Sequence, residues 1–136
     1  MTELLGGGAF TEREALIARA ESAIEGLRAG FREEASRQIE RLEAAFAALS
    51  ADPASGLEEL FAAAHEIKGQ AGSFGYELLA HVCEWLCRVV DGRRPLDKSA
   101  IDAIGHHVMA ARVIVERDVR GLGGPLCSAL LRDLQV

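Results

Sequence analysis

At 136 residues the chain is long enough for one domain with a sizeable core. Its hydrophobic share of 49% rests on Ala and Leu, with aromatics at only 5%, and few stretches alternate with period two, so packed helices are expected rather than a sheet. The formal net charge is −6, and Arg93-Arg94 is the largest basic cluster, which argues against a nucleic-acid binder.

Residues 1–10 contain Gly6-Gly7-Gly8 and read as a flexible lead-in. Neither a strand nor a P-loop lysine accompanies these glycines, so they do not make a phosphate loop. Thr11 with Glu14 forms a capping box that would open a helix. Apolar residues then recur at Ile24, Leu27, Phe31, Ala35, Ile39, Leu42, Phe46 and Leu49 with helical period. The phase passes through Gly30, so the segment is either two helices or one of about 38 residues, about 57 Å long. Such a stripe is twice the length of the helices that follow. It would overhang them or fold back across one end, and it leaves dimerisation open.

Ser50 to Gly56 is a turn by composition, and Ser55 with Glu58 is a second capping box, opening the helix of His65. Phe74-Gly75 closes that helix, with Gly75 suited to a left-handed cap. A third helix is expected over about Tyr76–Val90, with Leu79, Val82, Cys83, Leu86, Val89 and Val90 inward and Asp91 to Pro95 as its stop. Asp97 or Ser99 caps the next helix, which runs to about Arg120 with Ile101, Ile104, Val108, Ala111 and Val115 on its core side. Gly121 to Pro125 breaks the chain, and Ser128–Leu134 makes a short last helix. The fold expected is all-α: residues 11–136 form one domain whose core, about 31–121, is an up-down-up-down antiparallel four-helix bundle joined by short loops.

On the second of these helices, at about 100° per residue, two faces separate. Leu57, Leu60, Ala64, Ile67, Ala71 and Phe74 share an apolar side. His65 points the other way, with Lys68 about 60°, Gly69 about 40° and Gly72 about 20° from it. Glycine inside a helix costs roughly 0.5–1 kcal/mol against alanine. Two of them beside an outward histidine suggest that another protein's backbone must come close. Phe61, one turn earlier, is a candidate apolar contact at the rim.

The pattern His65-x-x-Lys68-Gly69-x-Ala71-Gly72-x-Phe74-Gly75 resembles the phospho-acceptor motif of histidine-containing phosphotransfer (Hpt) domains. The resemblance implies a monomeric four-helix bundle that relays a phosphoryl group between receiver-domain aspartates, among them receivers of hybrid histidine kinases. The chain would then be a carrier rather than a kinase, with no metal of its own and with the receiver bringing Mg²⁺. Transfer from an acyl phosphate needs positioning and charge stabilisation more than covalent help. An exposed imidazole, with a reference pKa of about 6.5, is largely the neutral nucleophile near pH 7. Lys68 would place an ammonium near the phosphoryl oxygens. Gly69 and Gly72 would leave room for the receiver's loops.

Other readings compete with this one. Taken alone, Lys68 is a solvated surface lysine, and Glu66 is better read as a solvent-facing carboxylate than as a residue orienting the imidazole. His81, Cys83, Cys87, His106 and His107 lack the ligand spacing of a metal site, and Cys83 sits in the apolar stripe, where it acts as a small hydrophobe. Trp85 and Tyr76 read as packing residues. His65-Glu66-Ile67 also resembles the start of a histidine-kinase dimerisation motif, but Gly69 and Gln70 depart from it and no Gly-rich ATP-binding segment follows. A docking scaffold or inhibitor that transfers nothing would not need the nucleophile. Three irregularly spaced cysteines, no signal-peptide pattern and no run of 18 apolar residues place the expected location in the cytoplasm.

Overall fold

The computed structural model describes residues 7–91, 96–122 and 124–134, and among these it contains α-helices and a 3-10 turn but no strand. The first helix, α1, is Gly7–Ala48, so it begins inside the expected lead-in, four residues before the Thr11 and Glu14 capping box, and it is unbroken at Gly30, so a single helix replaces the two-helix alternative. Two compact units divide within it, 1–31 and 32–136. In the first unit Leu16, Ile17, Ile24 and Leu27 are exposed. In the second, Ala35, Ile39, Leu42, Ala45 and Leu49 are buried, at steps of three and four that keep one helix face inward.

Helix α2 is Pro53–Ala71. It does not open on the expected Ser55 and Glu58 capping box. Asp52 is the N-cap, its carboxylate accepting from the Ser55 N–H at 3.3 Å. Pro53 takes the first turn, where its missing N–H has no intrahelical partner to lose. Leu60, Ala63, Ala64, Ile67 and Ala71 are buried. Near the start of the helix Gly56 lets α1 come close, since a Cβ there would lie 2.9 Å from Leu49 Cδ2 and 3.0 Å from the Ala45 carbonyl oxygen. A 3-10 turn, Gly72–Phe74, follows α2. Gly75 then takes φ 84°, the left-handed conformation expected of it, and the Tyr76 N–H returns to the Ala71 carbonyl at 2.9 Å.

Helix α3, Glu77–Asp91, packs against α2 and against α4, Lys98–Glu116. Leu78, Leu79, Val82, Cys83, Leu86 and Cys87 are buried, while Val89 and Val90, expected inward, are half-buried. The stop expected at Asp91 to Pro95 falls largely on residues outside those described. Asp97 caps α4 as expected, accepting from the Ala100 N–H at 2.8 Å. The helix ends at Glu116 rather than near Arg120. Asp118 turns the chain at φ 53° and accepts from the Tyr76 hydroxyl. The Gly121 N–H donates to the Gly75 carbonyl at 2.9 Å, and the Arg120 guanidinium lies 5.5 Å from the Tyr76 ring centre. These contacts fasten the end of α4 to the turn that ends α2. Helix α5, Pro125–Leu134, starts three residues before the expected Ser128, on a proline suited to a first helical turn. Among the described residues no helix is long and apolar enough to cross a membrane.

His107, on α4, is buried and stacks on Trp85 of α3, with centroids 3.6 Å apart and planes 5° from parallel. Its Nδ1 lies 2.7 Å from the Ala103 carbonyl oxygen. Burial pushes its pKa below the usual 6.5, against the opposing effect of that carbonyl, and the charge of His106 lowers it further. A histidine whose folded pKa is depressed contributes stability that is present above the unfolded pKa and lost as pH falls through the folded one. The melting temperature should therefore fall as pH drops from about 7 through 6.5 and below, ahead of the carboxylate titrations. In His107→Phe, which keeps the stack on Trp85 and removes the titration, that part of the fall should disappear. Melting curves at half-unit pH steps check this, and an unchanged fall in the variant would assign it elsewhere.

Candidate functional site

The buried face of α2 decides where the histidine goes. With Leu60, Ala64, Ile67 and Ala71 inward, His65 is left exposed. Phe61, one turn earlier, is 36% exposed, and its ring stacks on the imidazole with centroids 5.7 Å apart and planes 20° from parallel. It presents an apolar ring beside the imidazole.

Gly69 and Gly72 are exposed, and a Cβ built on either would meet nothing within 4 Å. Gly72 has ordinary helical dihedrals, φ −61° and ψ −38°. Neither packing at these positions nor the backbone at Gly72 calls for glycine. Gly105 is the contrast: a Cβ there would lie 2.8 Å from Cζ of Phe46. Gly69, on α2, and Gly72, just past its end, keep clear a space outside the molecule.

Lys68 is half-buried and is held from the neighbouring helix. Its Nζ donates to Glu84 Oε2 on α3 at 2.7 Å. Arg88, one turn along α3, places its Nε 3.7 Å from Glu84 Oε1. The Glu84 hydrogen bond raises the Lys68 pKa, and the same bond with the Lys68 charge lowers that of Glu84, to which the nearby charges of Arg88 and His65 add. Glu66 does not turn toward the imidazole. It accepts from Arg41 of α1 at 3.2 Å, and Arg41 also bonds Glu59 at 3.1 Å. The structure thus brings Phe61, His65, Lys68 and Gly69 onto one face of α2, with Gly72 directly after its last residue.

Glu84 and Arg88 were not expected there. They are a spaced acid–base pair on the polar side of α3, which by itself reads as a solvated surface. Only the packing of α2 on α3 sets Glu84 against Lys68. The residues weighed for a metal are dispersed: His81 and His106 are exposed, Cys83 and Cys87 are buried, and His107 is occupied by Trp85. Burial pushes the Cys83 thiol far above its usual range. Among the described residues no three of His, Cys, Asp or Glu are grouped as a metal site would need.

The family model for the Hpt domain matches residues 26–114, which include every residue of this face. The chain belongs to the Hpt domain family. Neither the curated proteins nor the solved structures contain a match. Hpt domains carry phosphoryl groups in two-component phosphorelays, without a kinase domain of their own, and interact with receiver domains of response regulators or hybrid kinases.

The empty space at Gly69 makes a stability prediction for this Hpt domain. Gly69→Ala should stabilise the fold by about 0.4–1 kcal/mol, because alanine restricts the unfolded chain at a position whose helical geometry it can share. Thermal melting would show a rise of a few degrees. A fall would mean that the position is crowded from within the chain.

Proposed function

We propose that His65 is the phospho-acceptor of this domain, and that the chain is a phosphorelay intermediate taking a phosphoryl group from a receiver-domain aspartyl phosphate and passing it to another receiver aspartate. The observation that carries this reading is an exposed imidazole flanked by two glycines that the chain's own packing does not need. A nucleophile approached in line by a second protein needs that kind of clearance.

In the transfer, the lone pair of a neutral imidazole nitrogen forms the P–N bond as the P–O bond to aspartate breaks. The aspartate leaves as carboxylate, and the other ring nitrogen keeps its proton. Lys68 offsets the phosphoryl charge, with Phe61, Gly69 and Gly72 forming the surface on which the receiver sits. The receiver supplies the Mg²⁺, so this chain holds no metal and acts as a carrier rather than an enzyme. The helices from about residue 31 to 121 form an up-down-up-down antiparallel bundle that keeps the α2 face open, and the setting is cytoplasmic.

A panel of receiver domains phosphorylated on aspartate tests the proposal against wild type, His65→Gln and Gly69→Leu. Acid-labile, base-stable label should pass to wild type only. His65→Gln should keep its helical spectrum and take no label, and residual label would place the acceptor elsewhere. Gly69→Leu should fold normally and lose transfer with binding, because its side chain fills the cleared space. Binding by every form with label on none would make the protein a docking scaffold instead.

A further inference from the structure

Glu84 has no part in the transfer just described, yet it sits at the centre of the charges around it. Lys68 Nζ is 2.7 Å from one of its oxygens and Arg88 Nε is 3.7 Å from the other. Lys68 lies three residues from His65 on the same helix. Glu84 and Lys68 side chains are 39% and 35% exposed, so the pair is formed at the surface, where its geometry can be exchanged for another at small cost.

A phosphoryl group on His65 would bring close to two negative charges to a side chain near enough to this carboxylate to act on it electrostatically. It would compete with Glu84 for one ammonium. Arg88 offers the carboxylate a second cation from its own helix once Lys68 has moved. Resting on the assignment of His65 as acceptor, we infer that Glu84 is a charge-setting positioning residue: it holds Lys68 ready while His65 is free, yields it to the phosphoryl group when His65 is loaded, and by its own negative charge keeps phospho-His65 high in energy. Bond making and breaking are unchanged by this, since Glu84 exchanges no proton and forms no bond to phosphorus. Its effect lies on the equilibrium between phospho-histidine and phospho-aspartate, which it tilts toward the receiver.

The test loads the full chain in two ways, with phosphoramidate as a small-molecule phosphoryl donor and with a receiver domain carrying aspartyl phosphate. Label on wild type and none on His65→Gln is required first, and wild type unlabelled by both donors would overturn the acceptor assignment and this inference with it. Given a labelled wild type, Glu84→Gln should shift the equilibrium with the receiver toward phospho-His65 by about three- to tenfold, as expected for one partly exposed charge close to another. The shift should shrink as salt is raised from 50 to 500 mM, which a packing defect would not do. Lys68→Ala should move the equilibrium the opposite way, and Glu84→Asp should behave as wild type. An equilibrium in Glu84→Gln within a factor of two of wild type, or displaced toward the receiver, would overturn the role of Glu84 while leaving His65 as acceptor.

Discussion

Everything at the candidate site depends on the inner face of α2. Leu60 and Ile67 supply the apolar bulk, and each contributes roughly 1.5–3 kcal/mol when fully buried. Ala63, Ala64 and Ala71 keep the face low, so neighbouring helices can approach closely. Against this, Gly69 inside the helix costs about 0.5–1 kcal/mol of helix propensity. The burial term is larger, so α2 keeps its rotation although its outer face is built poorly for a helix. Any change in that rotation would move His65, Lys68 and both glycines together, because all four hang on one backbone.

The end of α2 is held as firmly as its face. Gly75 reverses the chain in a conformation that most residues avoid, and Tyr76 is almost wholly buried with its hydroxyl on Asp118. Burial and the Asp118 contact both push the Tyr76 hydroxyl's pKa up. Burial of Asp118 acts to raise its own pKa, but hydrogen bonds from Tyr76 and Arg120, with the charges of Arg120 and Arg32, outweigh it and leave the carboxylate ionised in the fold. The result is a neutral phenol donating to a charged acceptor, an arrangement stronger than one between neutral groups. The segment after Gly72 is therefore anchored from α4.

Much of this was legible in the sequence, because periodicity and turn chemistry act locally. The inward positions of α2, the left-handed Gly75 and the Asp97 cap each follow from a few adjacent residues. The start of α2 was misread because Ser55 and Glu58 fit a capping box, while Asp52 followed by proline fits a helix start better. Periodicity also treats Ile24 and Leu27 like Ile39 and Leu42, although the first pair is exposed and the second buried. A repeat of apolar residues records which side of a helix is apolar, and says nothing of whether another element covers it. Glu84 escaped for a related reason: its meaning comes from Lys68, and the pairing of those two residues is set by how two helices pack.

The same distinction applies to Lys68. Read from α2 alone, Lys68 is a mobile ammonium awaiting an anion. In the fold it already has one, so it arrives at its position before any phosphoryl group does. Ordering a lysine side chain costs up to about 2 kcal/mol of rotamer entropy, and the Glu84 contact meets part of that cost in the resting state. On the inference drawn for Glu84, the same carboxylate would repel the phosphoryl group that Lys68 would receive. Preorganisation favours loading, and repulsion limits how long the load is kept. A carrier that must both accept and release needs the two effects near balance, and on that inference Glu84 opposite Lys68 would supply both.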